Sequence, residues 1–312
     1  MVKIKTWVFA GAALVAVAIS LWLWARPGAL SDQDFAARYQ APLPPPSFDL
    51  DIYHLGHSLV GRDMPAMLAA LGGHDYGYQL GWGASLKGHW TNDIPGYADE
   101  NIGPNFIPAH QAIGGGQFGI VVLTEMVEIK DAIKYHDSPD YLKLWAKQAR
   151  SARPDTRLYL YETWHRLDDP QGWDDRIQSD LGEYWEGELL RRAMADKDVG
   201  TIYVIPGGQV MLEAVEAIEA GKIDGLTRRE DLFALDAQGH TDPIHFNQIG
   251  AWLMAMTHYA VIYQKSPVGL PLALPDSNGQ RMAPLSEQAA RALQTIVWQV
   301  VTNYPLTGVP NG

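Results

Sequence analysis

Cysteine is absent from the 312-residue chain, so neither a disulfide framework nor a thiolate metal site is available, and its absence says nothing of redox compartment. Basic residues are few and scattered. The 24 Lys and Arg stand against 36 Asp and Glu, a net charge of −12, and no basic stripe offers a footprint for nucleic acid. Charged residues make up only 19% against 47% hydrophobic, which suits one substantial domain with a full core plus appendages. There is no internal repeat. A long hydrophobic run occurs once: Lys3 and Lys5 precede an almost unbroken apolar stretch over residues 7–24, roughly the length that spans a bilayer as a helix. It is too long for a typical signal-peptide core, lacks a clean small-x-small cleavage site, and carries Trp22 and Trp24 as interfacial anchors. Residues 1–25 are therefore read as a membrane anchor with its lysines inside and the domain outside, facing periplasm or exterior; if the segment is cleaved, the domain is secreted. Residues 26–46 end in a proline run and read as a stiff spacer, and the domain is expected over 47–312.

What is present from residue 49 onward alternates between strand and helix patterns. Short apolar runs at 49–57, 76–80, 118–124, 156–161 and 201–205 predict five strands, and FGIVVLT at 118–124 reads as buried on both faces. Helical periods follow at 62–71, 141–150, 181–195, 209–220, 247–263 and 286–304, while 87–116 reads as loop. Strands mostly followed by helices predict an α/β, doubly wound parallel sheet in three layers. The Gly114-Gly115-Gly116 run precedes a strand rather than a helix, so it reads as a turn and not as a phosphate loop.

Two stretches carry the chemistry. In DLDIYHLGHSLVG, residues 49–61, the first strand runs into a small-residue turn that presents Ser58 at the carboxyl edge of the sheet, where α/β proteins put their active groups. The plain alternative is that Ser58 caps a helix. In HTDPIHFNQIG, residues 240–250, Asp242 and His245 stand three positions apart and can face the same side of one turn; the plain alternative here is a helix-start cap. A serine hydroxyl needs a base within hydrogen-bond reach, and the base needs a carboxylate to orient it. Ser58, His245 and Asp242 supply all three. His165, after the fourth strand, is a rival base without a carboxylate at fixed spacing. His54, His57, His240, Asp242 and His245 are all zinc-ligand types, but none of their spacings is a helical ligand pair, and no metal is expected.

Gly56-His57-Ser58-Leu59 near the domain start, with Asp242-x-x-His245 near its end, resembles the SGNH/GDSL hydrolase superfamily over residues 47–263. The resemblance implies a flavodoxin-like sheet and a serine esterase without cofactor: Ser58 as nucleophile, His245 as base, Asp242 as orienter. It also implies an oxyanion hole from the N–H groups of Ser58 and Gly83, with Gly81 as the fallback for the second. The third family motif, Gly-x-Asn-Asp, is replaced by Leu123-Thr124-Glu125-Met126. A carboxylate facing a developing oxyanion would repel it, so Thr124, a backbone N–H or another loop supplies the third donor, or the hole has only two. His57, Trp82, Glu125 and Trp164 border these turns and are expected to touch substrate, with Glu125 at the rim. The expected substrate is a small-molecule or glycan O-acyl ester, acetyl foremost. A periplasmic polysaccharide O-acetyltransferase and a non-catalytic carbohydrate-binding relative are the alternatives.

Overall fold

The computed structural model describes residues 28–46 and 51–310. Its centre is a five-stranded, wholly parallel sheet of β1 (Ile52–His57), β2 (Tyr76–Gly81), β3 (Ile120–Leu123), β4 (Arg157–Glu162) and β5 (Ile202–Pro206), in the order β2-β1-β3-β4-β5. That is the flavodoxin-like doubly wound order, in which the chain reverses direction of travel between β1 and β3 and leaves a crevice at the carboxyl edge there. Every residue of β1 and β3 is buried. Parallel strands covered on both faces are mostly apolar, as β3 is throughout, while β1 buries His54 and His57 among apolar neighbours.

Two helical layers cover the sheet. On one face lie α1 (Asp63–Gly72), α5 (Gly207–Glu219), α6 (Gln248–Tyr263) and α7 (Glu287–Asn303), joined by Trp173 and Ile177 of α4 (Trp173–Asp180); on the other lie α2 (Leu86–Thr91), α3 (Ser138–Ala152) and the helix Leu181–Leu190 that continues α4. Helix α6 packs between α1 and α7, so it is buried almost all round and reads as apolar on every side. Helix α1 ends where its sequence predicts, at Gly73 in the left-handed region with φ +69, its N–H donating to Ala69 O.

Four departures from the sequence reading bear on the site and its surroundings. The stretch 87–116 is not all loop: it holds α2 and two further short helices, Tyr97–Glu100 and Ala109–Gly114, all too short for a readable helical period. The helix expected over 181–195 is a π-helix over Leu181–Leu190, which relaxes its turns where Gly187 approaches the Gly182 carbonyl. The expected spacer is packed onto the domain through a helix, Asp32–Ala37, whose Phe35 is buried, and through Tyr39 Oη, which donates to Ile202 O at 2.7 Å. Lastly, Asp242 and His245 sit not in a simple turn ahead of the helix but on the second strand of an antiparallel hairpin of β6 (Phe233–Leu235) and β7 (Thr241–Phe246). The anchor read over residues 7–24 lies outside the described residues. Among the described residues no helix is long and apolar enough to cross a membrane.

Candidate active site

Strand β1 leaves the sheet at His57 and turns at once, with the N–H groups of Val60 and Gly61 both donating to His57 O. The turn can be this tight because Gly56 has no side chain. A Cβ there would stand 2.8 Å from Thr124 Cβ and 2.9 Å from Val60 Cγ2. Ser58 is thereby lifted, half-buried, out of the carboxyl edge of the sheet.

Across 187 positions of sequence, Ser58 Oγ lies 2.8 Å from His245 Nε2. The other ring nitrogen, Nδ1, is 2.9 Å from Asp242 Oδ2. Since a carboxylate can only accept, Nδ1 carries the imidazole proton, and Nε2 is left to accept the Ser58 hydroxyl. Asp242 Oδ1 is occupied too: it accepts the N–H groups of Ile244 and His245, each at 2.9 Å. Partial burial works against the Asp242 charge, but these two N–H groups and the imidazole outweigh it and hold the carboxyl below its ordinary range. The carboxylate thus stays ionised and cannot rotate away. Directly after the hairpin, Asn247 caps α6, its Oδ1 accepting the Ile249 and Gly250 N–H groups, so the base is tied to the most buried helix of the fold.

Behind β1, two neutral histidines brace the turn. His57 Nδ1 accepts the Leu59 N–H at 3.3 Å and Nε2 donates to Glu125 O at 2.8 Å. His89 Nδ1 accepts from Gln79 Nε2 and Nε2 donates to Gly56 O at 2.9 Å, while Gln79 Oε1 accepts the Ala109 N–H. Burial pushes both imidazoles down to about 4, so neither is charged near neutral pH.

The residues expected around this centre fall into two groups. Gly83 and Trp82 are exposed beside the turn, and Gly83 takes φ +55 with open space where a Cβ would stand. Among the described residues nothing accepts the N–H of Ser58 or of Gly83. By contrast His57, Thr124, Glu125 and Trp164 are fully buried, and the structure does not bring them to a surface where they could touch substrate. Thr124 N–H is spent on Leu55 O at 2.9 Å, and its hydroxyl, though without a partner, is fully buried with its side chain packed under Gly56 rather than open at the surface beside Ser58. Glu125 is not at the rim but beneath it. Its Oε1 accepts the Met126 N–H at 2.8 Å and the Leu86 N–H at 3.2 Å, at the start of α2, and burial pushes its carboxyl up to about 7. Trp164 Nε1 donates to Ile244 O at 2.9 Å, under the hairpin. Gly81, the fallback donor, is buried at the end of β2.

His165 does have a carboxylate, supplied by the fold rather than by sequence spacing: its Nε2 lies 3.1 Å from Asp180 Oδ2, both buried. This pair faces Arg176, which bridges Asp180, Glu128 and Asp169, not Ser58. Among the described residues, Glu128, His165 and Asp169 are the one group with ligand atoms close enough to share a metal. Arg176 already donates to both carboxylates, so part of the charge a cation would neutralise is already met. None of the zinc-ligand types noted in the sequence takes part.

No family model matches the sequence, and no curated protein does. Among solved structures, a DUF4886 family protein from Bacteroides uniformis superposes with a TM-score of 0.52 at 15% identity, over 82% of this chain and 96% of that one. A GDSL-like lipase from Parabacteroides merdae gives 0.42 at 13% identity, over 70% and 97%. Phospholipase A1 from Streptomyces albidoflavus gives 0.33 at 13% identity, over 65% and 94%. At 15% identity the first of these likenesses is one of fold alone.

Proposed function

We propose that this chain is a serine esterase of the SGNH/GDSL type that cleaves O-acyl esters, acetyl esters first among them, at the outer face of a membrane to which residues 7–24 attach it. The observation that carries the reading is the unbroken hydrogen-bonded chain from Ser58 Oγ through His245 to Asp242 at the carboxyl edge of the sheet. Ser58 Oγ attacks the ester carbonyl while His245 Nε2 takes its proton, and the tetrahedral oxyanion is met by the N–H groups of Ser58 and Gly83. The C–O bond to the alcohol then breaks, and the alcohol leaves with the proton from His245. Water attacks the acyl-serine by the same route in reverse, releasing the acid and free Ser58. With Thr124 and Glu125 turned inward, the hole has two backbone donors.

The test is labelling with a fluorophosphonate, followed by mapping of the modified residue, together with turnover of 4-nitrophenyl acetate. Label is expected on Ser58, and Ser58→Ala is expected to lower kcat by about four orders of magnitude or more with the melting temperature kept, because members of such a triad act as a unit. Label on another residue, or unchanged turnover in Ser58→Ala, would discard the mechanism. Acyl transfer to an added glycan in preference to water would make the enzyme a transferase with the same nucleophile.

A further inference from the structure

Among the described residues six large apolar side chains are exposed, and the most exposed tryptophan, Trp82, stands next to Ser58. The register places it there. His57 pairs with Gly81, so Ser58 and Trp82 leave neighbouring parallel strands at the same level, where strands run about 4.8 Å apart. Trp82 is 54% exposed, in contrast to Trp145, Trp164, Trp173, Trp185 and Trp252, which are all buried.

The indole is held flat and still. One face rests on Gly96, where φ is +66 and a Cβ would fall 2.3 Å from Trp82 Cδ2, so only glycine permits the contact. Its edge is fixed by Nε1, which donates to Glu100 Oε1 at 2.9 Å, and its backbone N–H donates to Pro95 O at 2.8 Å. The segment that carries Gly96 and Glu100 is in turn clamped to β2 by Asn101. Its side-chain amide accepts the Leu80 N–H and donates to the Leu80 carbonyl, each at 2.8 Å, as a neighbouring strand would. A single face of the indole is left open to solvent, with one carboxylate oxygen of Glu100 beside it that no described residue bonds.

We infer that Trp82 and Glu100 form a sugar subsite that takes a neutral pyranose ring in the alcohol part of the ester, an inference that rests on the esterase reading above. A pyranose with equatorial hydroxyls presents an apolar face of C–H groups to an aromatic ring and hydroxyl donors around its edge. The open indole face meets the first, and the free Glu100 oxygen accepts from the second. The charge next to the indole is acidic, Glu100 with Asp93 and Asp99 exposed nearby, and Arg62 stands farther off beside Tyr78 and Ile102; this disfavours uronic acids, phosphosugars and phospholipid headgroups on the indole face. An acyl chain is poorly served too, since the platform is an open face rather than a groove.

Calorimetric titration of the wild-type protein with unesterified xylotetraose, cellotetraose and chitotetraose reads the subsite without catalysis. At least one should bind, with affinity reduced tenfold or more in Trp82→Ala, several-fold in Glu100→Gln, and largely kept in Trp82→Phe. For turnover, Trp82→Ala should lower kcat/KM on acetylated xylotetraose at least tenfold more than on 4-nitrophenyl acetate. Binding of none of the three sugars, or equal binding by Trp82→Ala with its fold verified by circular dichroism, would overturn the subsite. Sugar binding that depends on Trp82 in a protein inert toward both esters would keep the subsite and remove the esterase reading instead.

Discussion

Burial pushes the Glu125 carboxyl up to about 7, so around neutral pH it is protonated for part of the population. Its one bonded oxygen serves the start of α2 and the following peptide, not the Ser58 turn. A glutamine keeps an oxygen for both N–H donors and adds no charge. Glu125→Gln is therefore expected to hold kcat/KM within about threefold of wild type at pH 7. Glu125→Ala strands the Leu86 and Met126 N–H groups in the interior and should cost about 1–3 kcal/mol of stability, seen as a lowered urea midpoint. If Glu125→Gln instead lost a hundredfold in kcat/KM, about 2.7 kcal/mol, Glu125 would be a working acid or base and the mechanism above would be wrong.

Between residue and whole fold, the element that governs the site is the segment leaving β4. Trp164 Nε1 donates to Ile244 O, and Leu167 N–H donates to Pro243 O at 2.8 Å. Those two carbonyls belong to the residues that separate Asp242 from His245, so the segment sets where the hairpin stands over the sheet. It is itself anchored from below, by the Trp173 indole N–H on His165 O and by the buried His165–Asp180–Arg176 cluster. Trp164 is thus a positioning residue. Trp164→Phe keeps the aromatic packing against Phe246 but deletes the hydrogen bond. It should lower kcat about tenfold, about 1.4 kcal/mol, with KM changed less than twofold and the rate of fluorophosphonate labelling falling in step. Unchanged kcat and labelling would show that the hairpin holds its place without the segment.

For the molecule as a whole, two sets of buried groups pull stability in opposite directions with pH. Burial raises Glu125 to about 7 and Glu162 to about 8 from 4.5, so what they contribute is complete below pH 4.5 and is lost as pH climbs through those folded values. Burial lowers His57, His74, His89 and His258 to about 4 from 6.5, and His54 well below 6.5; their contribution is complete above pH 6.5 and is lost as pH falls. Between pH 4.5 and 6.5 the five histidines outweigh the two carboxyls, and above 6.5 only the carboxyls still change. The urea midpoint should therefore peak near pH 6.5, drop steeply toward pH 5 and decline more gently toward pH 8. In the Glu125→Gln, Glu162→Gln double variant the decline above 6.5 should vanish. A wild-type midpoint that kept rising from pH 6.5 to 8 would contradict this assignment of buried charge.

How much of this was legible in the chain depends on the range of the interaction. Strands buried on both faces are mostly apolar, so residues 118–124 and their counterparts declare themselves locally, and with them the parallel α/β sheet. Gly56 before Ser58, and Asp242 three before His245, are likewise local patterns, visible because a tight turn and an oriented imidazole demand those residue types at those spacings. Short helices such as α2 and Ala109–Gly114 escape notice because fewer than two turns show no period, and because acceptors from afar, Glu125 and Gln79, help satisfy their starts, beside the local cap Ser85 in α2. The side chains of Glu125, Thr124 and Trp164 follow strand ends that look alike in sequence to those of Ser58 and Trp82. Whether such a residue points to solvent or into the protein is decided by what the neighbouring element needs: an acceptor at Leu86, a small cleft under Gly56, a donor for Ile244. The amino-acid order determined the sheet, its carboxyl edge and the residue types for a triad, since each answers to burial or to backbone geometry within a few positions. Only the tertiary structure decided that Ser58 and His245 meet at 2.8 Å and that Trp82 stays exposed while Trp164 does not, because those outcomes depend on contacts between segments far apart in the chain.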